Sequence, residues 1–119
     1  MDSTLKSLNG MSFIDLTGSQ SIIKREGDLN DLLSLCYYHH SNFFLLDEKN
    51  LSADFFNLRS GLAGAAMQKF ANYKVRVAIL LPKNADKSER FKELMYEMSR
   101  SNDFRFYDNR EAAETWLTT

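Results

Sequence analysis

Cysteine and proline are almost absent from this sequence, with Cys36 and Pro82 the single representatives of each. One thiol excludes an internal disulfide framework and fits a reducing compartment. One proline and 5 glycines leave no Pro/Gly-rich linker at which to divide the chain. Surplus positive charge is lacking as well, since 15 Lys and Arg face 16 Asp and Glu. With no cationic excess to neutralise phosphates, nucleic acid is not an expected partner. No apolar run approaches the ~18 residues of a membrane span, and Met1 to Gly10 is polar with no hydrophobic signal region. The expectation is therefore no membrane span and a cytoplasmic location. Absent too are a fixed-period repeat, a Gly-x-Ser-x-Gly elbow, a Walker-type loop and a known zinc spacing. These absences predict a non-enzymatic chain with no cofactor and no metal.

What is present suits one core. The 119 residues are 44% apolar and 26% charged, ordinary usage for one globular domain. We expect a frayed segment over residues 1–10 and a single domain over 11–119. Met11 to Thr17 and Ser21 to Lys24 read as strands around a Gly18-Ser19 turn, an opening hairpin. Asp28 is the expected N-cap of a helix whose Leu29, Leu32, Leu33 and Cys36 fall at i, i+3, i+4 and i+7, ending near Ser41-Asn42. Phe43 to Leu46 is a short apolar run stopped by Asp47, Glu48 and Lys49, as in a strand covered on both faces.

Ser52 is an expected N-cap for a short helical turn through Phe55-Phe56, with a break expected at Asn57 to Arg59. A second helix then starts at Ser60-Gly61 and runs to about Asn72, with Leu62, Ala66, Phe70 and Tyr73 at helical spacing. Glycine inside a helix costs about 1 kcal/mol against alanine, so Gly64 predicts a neighbouring backbone packed close by. Val75 to Leu81 predicts a central strand closed by Pro82. Asp86 and Glu89 have the spacing of a capping box before a helix striped with Phe91, Leu94, Met95 and Met98. Phe104 to Tyr107 alternates as a last strand. Asn109 caps a closing helix that packs Ala112, Ala113, Trp116 and Leu117. The order β-β-α-β-α-β-α-β-α demands right-handed crossovers and predicts an α/β fold whose mixed, mostly parallel sheet has five strands and about four helices.

This order, with its Ser-Gly-Leu helix start after the third strand, resembles the STAS fold, named for sulfate transporters and anti-sigma-factor antagonists. Within that class, Phe55-Phe56-Asn57-Leu58, Gly61-Leu62-Ala63-Gly64, Gln68-Lys69-Phe70 and Asn72-Tyr73 are similar to the bacterial domain-of-unknown-function family 4180. The element order is matched over residues 11 to 117, the distinctive residues over about 55 to 79. The chain departs from that pattern at Ala65, in place of an acid, and at Leu81-Pro82-Lys83, in place of a Gly-Asp turn. The narrower family implies no transferable function. The STAS resemblance implies a non-enzymatic switch, in which a serine at the start of this helix is phosphorylated to change partner binding. Ser60 holds the matching position, although the Asp-Ser pair of the antagonists is Arg59-Ser60 here.

Ser60, Arg59 and Gly61 are accordingly the candidate phosphorylation or anion site. A phosphate there would meet free backbone N–H groups and the positive end of a helix. The competing reading is that Ser60 is only an N-cap, worth about 1 kcal/mol. Phe55, Phe56 and Asp47 are the candidate partner-binding residues, because large aromatics anchor interfaces; the core is the alternative for at least one phenylalanine. The expected partner is a protein or a second copy of the chain, with a small apolar or anionic ligand beside the Ser60 helix as the alternative. Cys36, His39 and His40 have a helical spacing that permits a metal, yet read more simply as a buried thiol beside surface imidazoles. Asp47 and Glu48 sit where ligands gather in open α/β sheets, but neighbouring strand residues point to opposite faces, and Asp47 to Asn50 reads as a solvated loop.

Overall fold

The computed structural model describes residues 3–119. Its chain begins with a hairpin of β1 (Thr4–Leu8) and β2 (Met11–Asp15), antiparallel with Leu8 opposite Met11. The turn is Asn9-Gly10, with φ of 54° and 78°. Two successive left-handed residues match the twist of the flanking strands, and Asn-Gly adopts them at low cost. This corrects the expected hairpin. Thr4–Leu8 is a paired strand rather than part of a frayed segment, residues 1 and 2 of that segment lying outside the described residues. Gly18-Ser19 belongs to the loop beyond β2, and Ile23 makes only an isolated parallel bridge to Leu51.

From there helices alternate with parallel strands: α1 (Asp28–His39), β3 (Phe43–Asp47), α2 (Ala53–Phe56), α3 (Leu62–Asn72), β4 (Arg76–Leu80), α4 (Glu89–Glu97), β5 (Phe104–Tyr107) and α5 (Arg110–Leu117). The five strands lie in sequence order, β2 to β5 parallel and β1 alone antiparallel. The expected mixed, mostly parallel α/β sheet is therefore present, with the helical region between β3 and β4 divided into α2 and α3. Right-handed crossovers that all step the same way along a sheet leave their helices on one face. Ile14, Phe44, Leu46, Val77, Ile79 and Phe104 point to that face and share a core with Leu32, Phe55, Ala66, Phe70 and Phe91. Only α5, which follows the last strand, is free to cover the other face. There Phe13, Leu45 and Ala78 meet its Ala113 and Leu117.

Caps and small residues differ from expectation in instructive ways. The N-cap of α1 is Gly27; the Asp28 carboxylate instead accepts from the N–H groups of Lys24 and Arg25, at 2.9 and 3.2 Å, and ties down the preceding turn. Ser88 rather than Asp86 caps α4, its Oγ accepting from the Phe91 N–H at 3.1 Å. Gly64 is exposed, and a Cβ added to it would meet nothing within 4 Å. No backbone packs against it; the close approach is carried by Ala63 and Ala66, both 0% exposed. Among the described residues no helix is long and apolar enough to cross a membrane.

Candidate functional site

The segment from α2 to the start of α3 carries most of the residues singled out from the sequence. Phe55 is fully buried, stacked on Phe104 at 6.3 Å and edge-on to Phe91 at 6.3 Å. It is core, which removes it from the candidate partner surface. Phe56 is half-buried, 5.0 Å from Phe91, with the Lys87 Nζ 3.8 Å from its ring centroid. Lys87 is itself held by Glu48 at 2.8 Å. A cation gripped from one side and resting on a ring on the other fixes both partners.

After α2 the chain makes a single 3-10 turn, Leu58–Ser60, capped by the Asn57 side chain accepting from the Arg59 N–H at 3.2 Å. Gly61 follows with φ of 79°, a left-handed conformation that side-chain-bearing residues resist, and this reversal redirects the chain into α3 at Leu62. Ser60 therefore stands one residue outside the helix cap. Its exposed hydroxyl still works at the junction: Oγ donates to the Asp54 carbonyl at 2.5 Å and accepts from the Leu62 N–H at 3.2 Å. One hydroxyl thus clasps the end of α2 to the beginning of α3.

The turn separates its neighbours. Ser60 and Gly61 line a hollow of about 330 Å³ with Lys24, Arg25 and Asp54. Arg59 turns instead into a groove of about 460 Å³ with Phe56, Leu58, Lys87 and Arg90. Asp47 lies in a third place, a crevice of about 270 Å³ at the carboxyl ends of β3 and β4, walled by Leu80, Pro82, Asn109 and Arg110. Its Oδ2 accepts from the Gly18 N–H at 3.0 Å. Glu48 is engaged by Lys87, so the two adjacent acids serve separate partners.

Cys36 is buried, which pushes its thiol up to about 11 and leaves it a poor nucleophile. The His39 ring is hydrogen-bonded to Ser3 Oγ at 2.9 Å, and among the described residues no group of three or more His, Cys, Asp or Glu side chains is placed to hold a metal.

Two polar centres escaped the sequence reading. Asp15, at the end of β2, is 6% exposed and receives Lys6 Nζ at 2.6 Å, Arg110 at 3.0 Å, and both the N–H and hydroxyl of Thr17 at 2.8 and 2.5 Å. Burial alone would raise its pKa; the donors from Lys6, Thr17 and Arg110 overcome that and hold it at about 2. Asn50, expected in a solvated loop, is 0% exposed. Its side chain accepts from the Asp47 N–H at 2.8 Å and donates to the Leu16 carbonyl at 3.0 Å, while its own carbonyl receives the N–H groups of Ile22 and Ile23. Strand alternation, which puts Asp15 on the same face as Phe13, was a usable signal for the first. Only the capping-box spacing from Asp47 marks the second locally; its other partners, Leu16, Ile22 and Ile23, lie some thirty residues away.

No curated protein and no solved structure matches this chain. The family model described as Domain of unknown function (DUF4180) matches residues 8–117, and the chain belongs to that family.

Proposed function

We propose that this is a non-enzymatic regulatory domain of the bacterial cytoplasm that binds a protein partner or a second copy of itself, switched by phosphorylation of Ser60. The observation that carries the reading is the Ser60 hydroxyl, exposed yet bonded to both the Asp54 carbonyl and the Leu62 N–H. A phosphate ester has no proton left for the carbonyl, so modification removes the clasp and sets about −1.5 to −2 of charge against it. Lys24 and Arg25 line the same hollow together with Glu26 and Asp54, and the two cations offer the phosphate partners as the clasp is lost. The resemblance of the element order to the STAS fold supports the same reading, with Ser60 one residue ahead of the Gly61 cap of α3. Capture of binding partners by the Ser60-phosphorylated chain and by Ser60→Ala tests it: the two sets of partners are expected to differ, and identical sets would refute the switch.

A second reading is favoured by the crevice beside Asp47, Leu80, Pro82 and Arg110, since open α/β sheets bind small ligands at the carboxyl ends of their strands. A small apolar or anionic ligand seated there would raise the melting temperature of the wild type and not that of Leu80→Trp, which fills the crevice.

A further inference from the structure

We infer that the groove between the 3-10 turn and the start of α4 docks an acidic peptide segment of a partner protein, with one apolar side chain as its anchor. This rests on the interaction-domain reading above and names the chemistry of the partner. The apolar part of the lining is Ala53, Phe56 and Leu58, and the Phe56 ring is held in edge contact with Phe91 at 5.0 Å and by Lys87 Nζ at 3.8 Å from its centroid. An anchor side chain therefore meets a surface that needs no reordering, which is where affinity is gained most readily.

Charge selects the rest of the occupant. Lys87 is neutralised by Glu48, and Asp86 is the one carboxylate among the lining residues. Arg59 and Arg90 form no ion pair among the described residues, so two guanidinium groups border the groove without a carboxylate of their own. Guanidinium forks bind carboxylates in bidentate fashion, so two arginines lining one groove favour an occupant that carries carboxylates beside its anchor residue. A small molecule is less well served: Asn57, Arg59, Asp86, Ser88 and Arg90 are all exposed, whereas small-ligand sites enclose most of their occupant. Arg59 also adjoins Ser60 in one turn. A phosphate on Ser60 brings negative charge next to one of the two arginines and weakens an acidic occupant, so groove and switch are coupled through a single residue step.

Titration of the isotope-labelled full chain by NMR tests this with three short synthetic peptides: one rich in Asp and Glu around a single Leu, the same peptide with Gly for Leu, and a Lys-rich peptide around Leu. The first is expected to shift the amides of Ala53 to Arg59 and Asp86 to Arg90, to bind more tightly than either of the others, and to weaken as salt is raised. The double variant Arg59→Glu, Arg90→Glu should lose about tenfold or more in affinity while its remaining spectrum stays native. Equal binding of the Lys-rich peptide, shifts confined to other parts of the chain, or displacement of the acidic peptide by millimolar inorganic phosphate would each overturn the proposal. Ser60→Glu separates it from the switch. Equal peptide affinity for wild type and Ser60→Glu keeps the groove and refutes the coupling; no peptide binding, together with partner capture that still responds to Ser60 phosphorylation, refutes the groove and keeps the switch.

Discussion

Replacing Asp15 by asparagine removes the one buried carboxylate that ties β1, β2 and α5 together. Its pKa is lowered from 3.8 to about 2. At about 1.4 kcal/mol per unit, the difference amounts to about 2 kcal/mol of stability at neutral pH. Because the folded pKa lies below the unfolded one, this contribution is complete above about pH 4 and is lost as the pH falls through 2. Breaking a fully buried ion pair costs about 3–5 kcal/mol, since the surviving charge stays desolvated. Here the surviving cations are not trapped: the side chains of Lys6 and Arg110 are 48% and 42% exposed and can return to water. The smaller figure is therefore the right one. Urea unfolding at neutral pH should show Asp15→Asn about 2 kcal/mol less stable than wild type, and the gap should close between about pH 4 and pH 2. A gap that stayed constant over that range would refute the assignment of the stabilisation to the ionised carboxylate.

Gly64→Ala should stabilise the chain by about 0.5–1 kcal/mol, because the position is helical, exposed and free of neighbours; a lower melting temperature would contradict this. Asn50→Ala should cost about 1–3 kcal/mol by taking the acceptor from the Asp47 N–H, while the Leu16 carbonyl keeps the Ser19 N–H at 3.2 Å, and Asn50→Asp should not rescue it, because it sets a buried carboxylate oxygen against the Leu16 carbonyl. Chemical denaturation measures both. Cys36, with its thiol raised from 9.0 to about 11, should react with a disulfide reagent about a hundredfold more slowly at pH 8 than it does in denaturant; equal rates would show that the thiol is not buried.

The parallel half of the molecule was legible because its signals are long-range patterns repeated over many residues. The apolar runs of β3 and β4 and the helical stripes of α1 and α4 each survive a local ambiguity. What failed depended on one or two residues. Asn9-Gly10 and Gly18-Ser19 both carry turn chemistry, and the apolar Ile22-Ile23 pair gave Gly18-Ser19 the pattern of a hairpin turn. Those isoleucines are buried for another reason, being held by the Asn50 carbonyl. Gly64 pointed to a close packing that the neighbouring alanines supply. Ser88 displaced Asp86 as a cap although both are good capping residues, and spacing alone does not choose between them. In the candidate site, Ser60, Arg59 and Phe56 were legible as surface residues of one junction. Their separation into two hollows was not, because it follows from the left-handed turn at Gly61 and the contribution of Lys24 and Arg25 from before α1.

The clasp made by Ser60 is the centre of the proposed switch, and hydrogen exchange on the chain phosphorylated at Ser60 tests it most directly. Loss of the bond to the Asp54 carbonyl should speed exchange at the amides of Asn57, Ser60 and Gly61, which close the end of α2 and the 3-10 turn, while the amides from Ala65 onward in α3 keep their protection. An exchange pattern identical to that of the unmodified chain would contradict the switch, leaving Ser60 as a surface hydroxyl with no role in it.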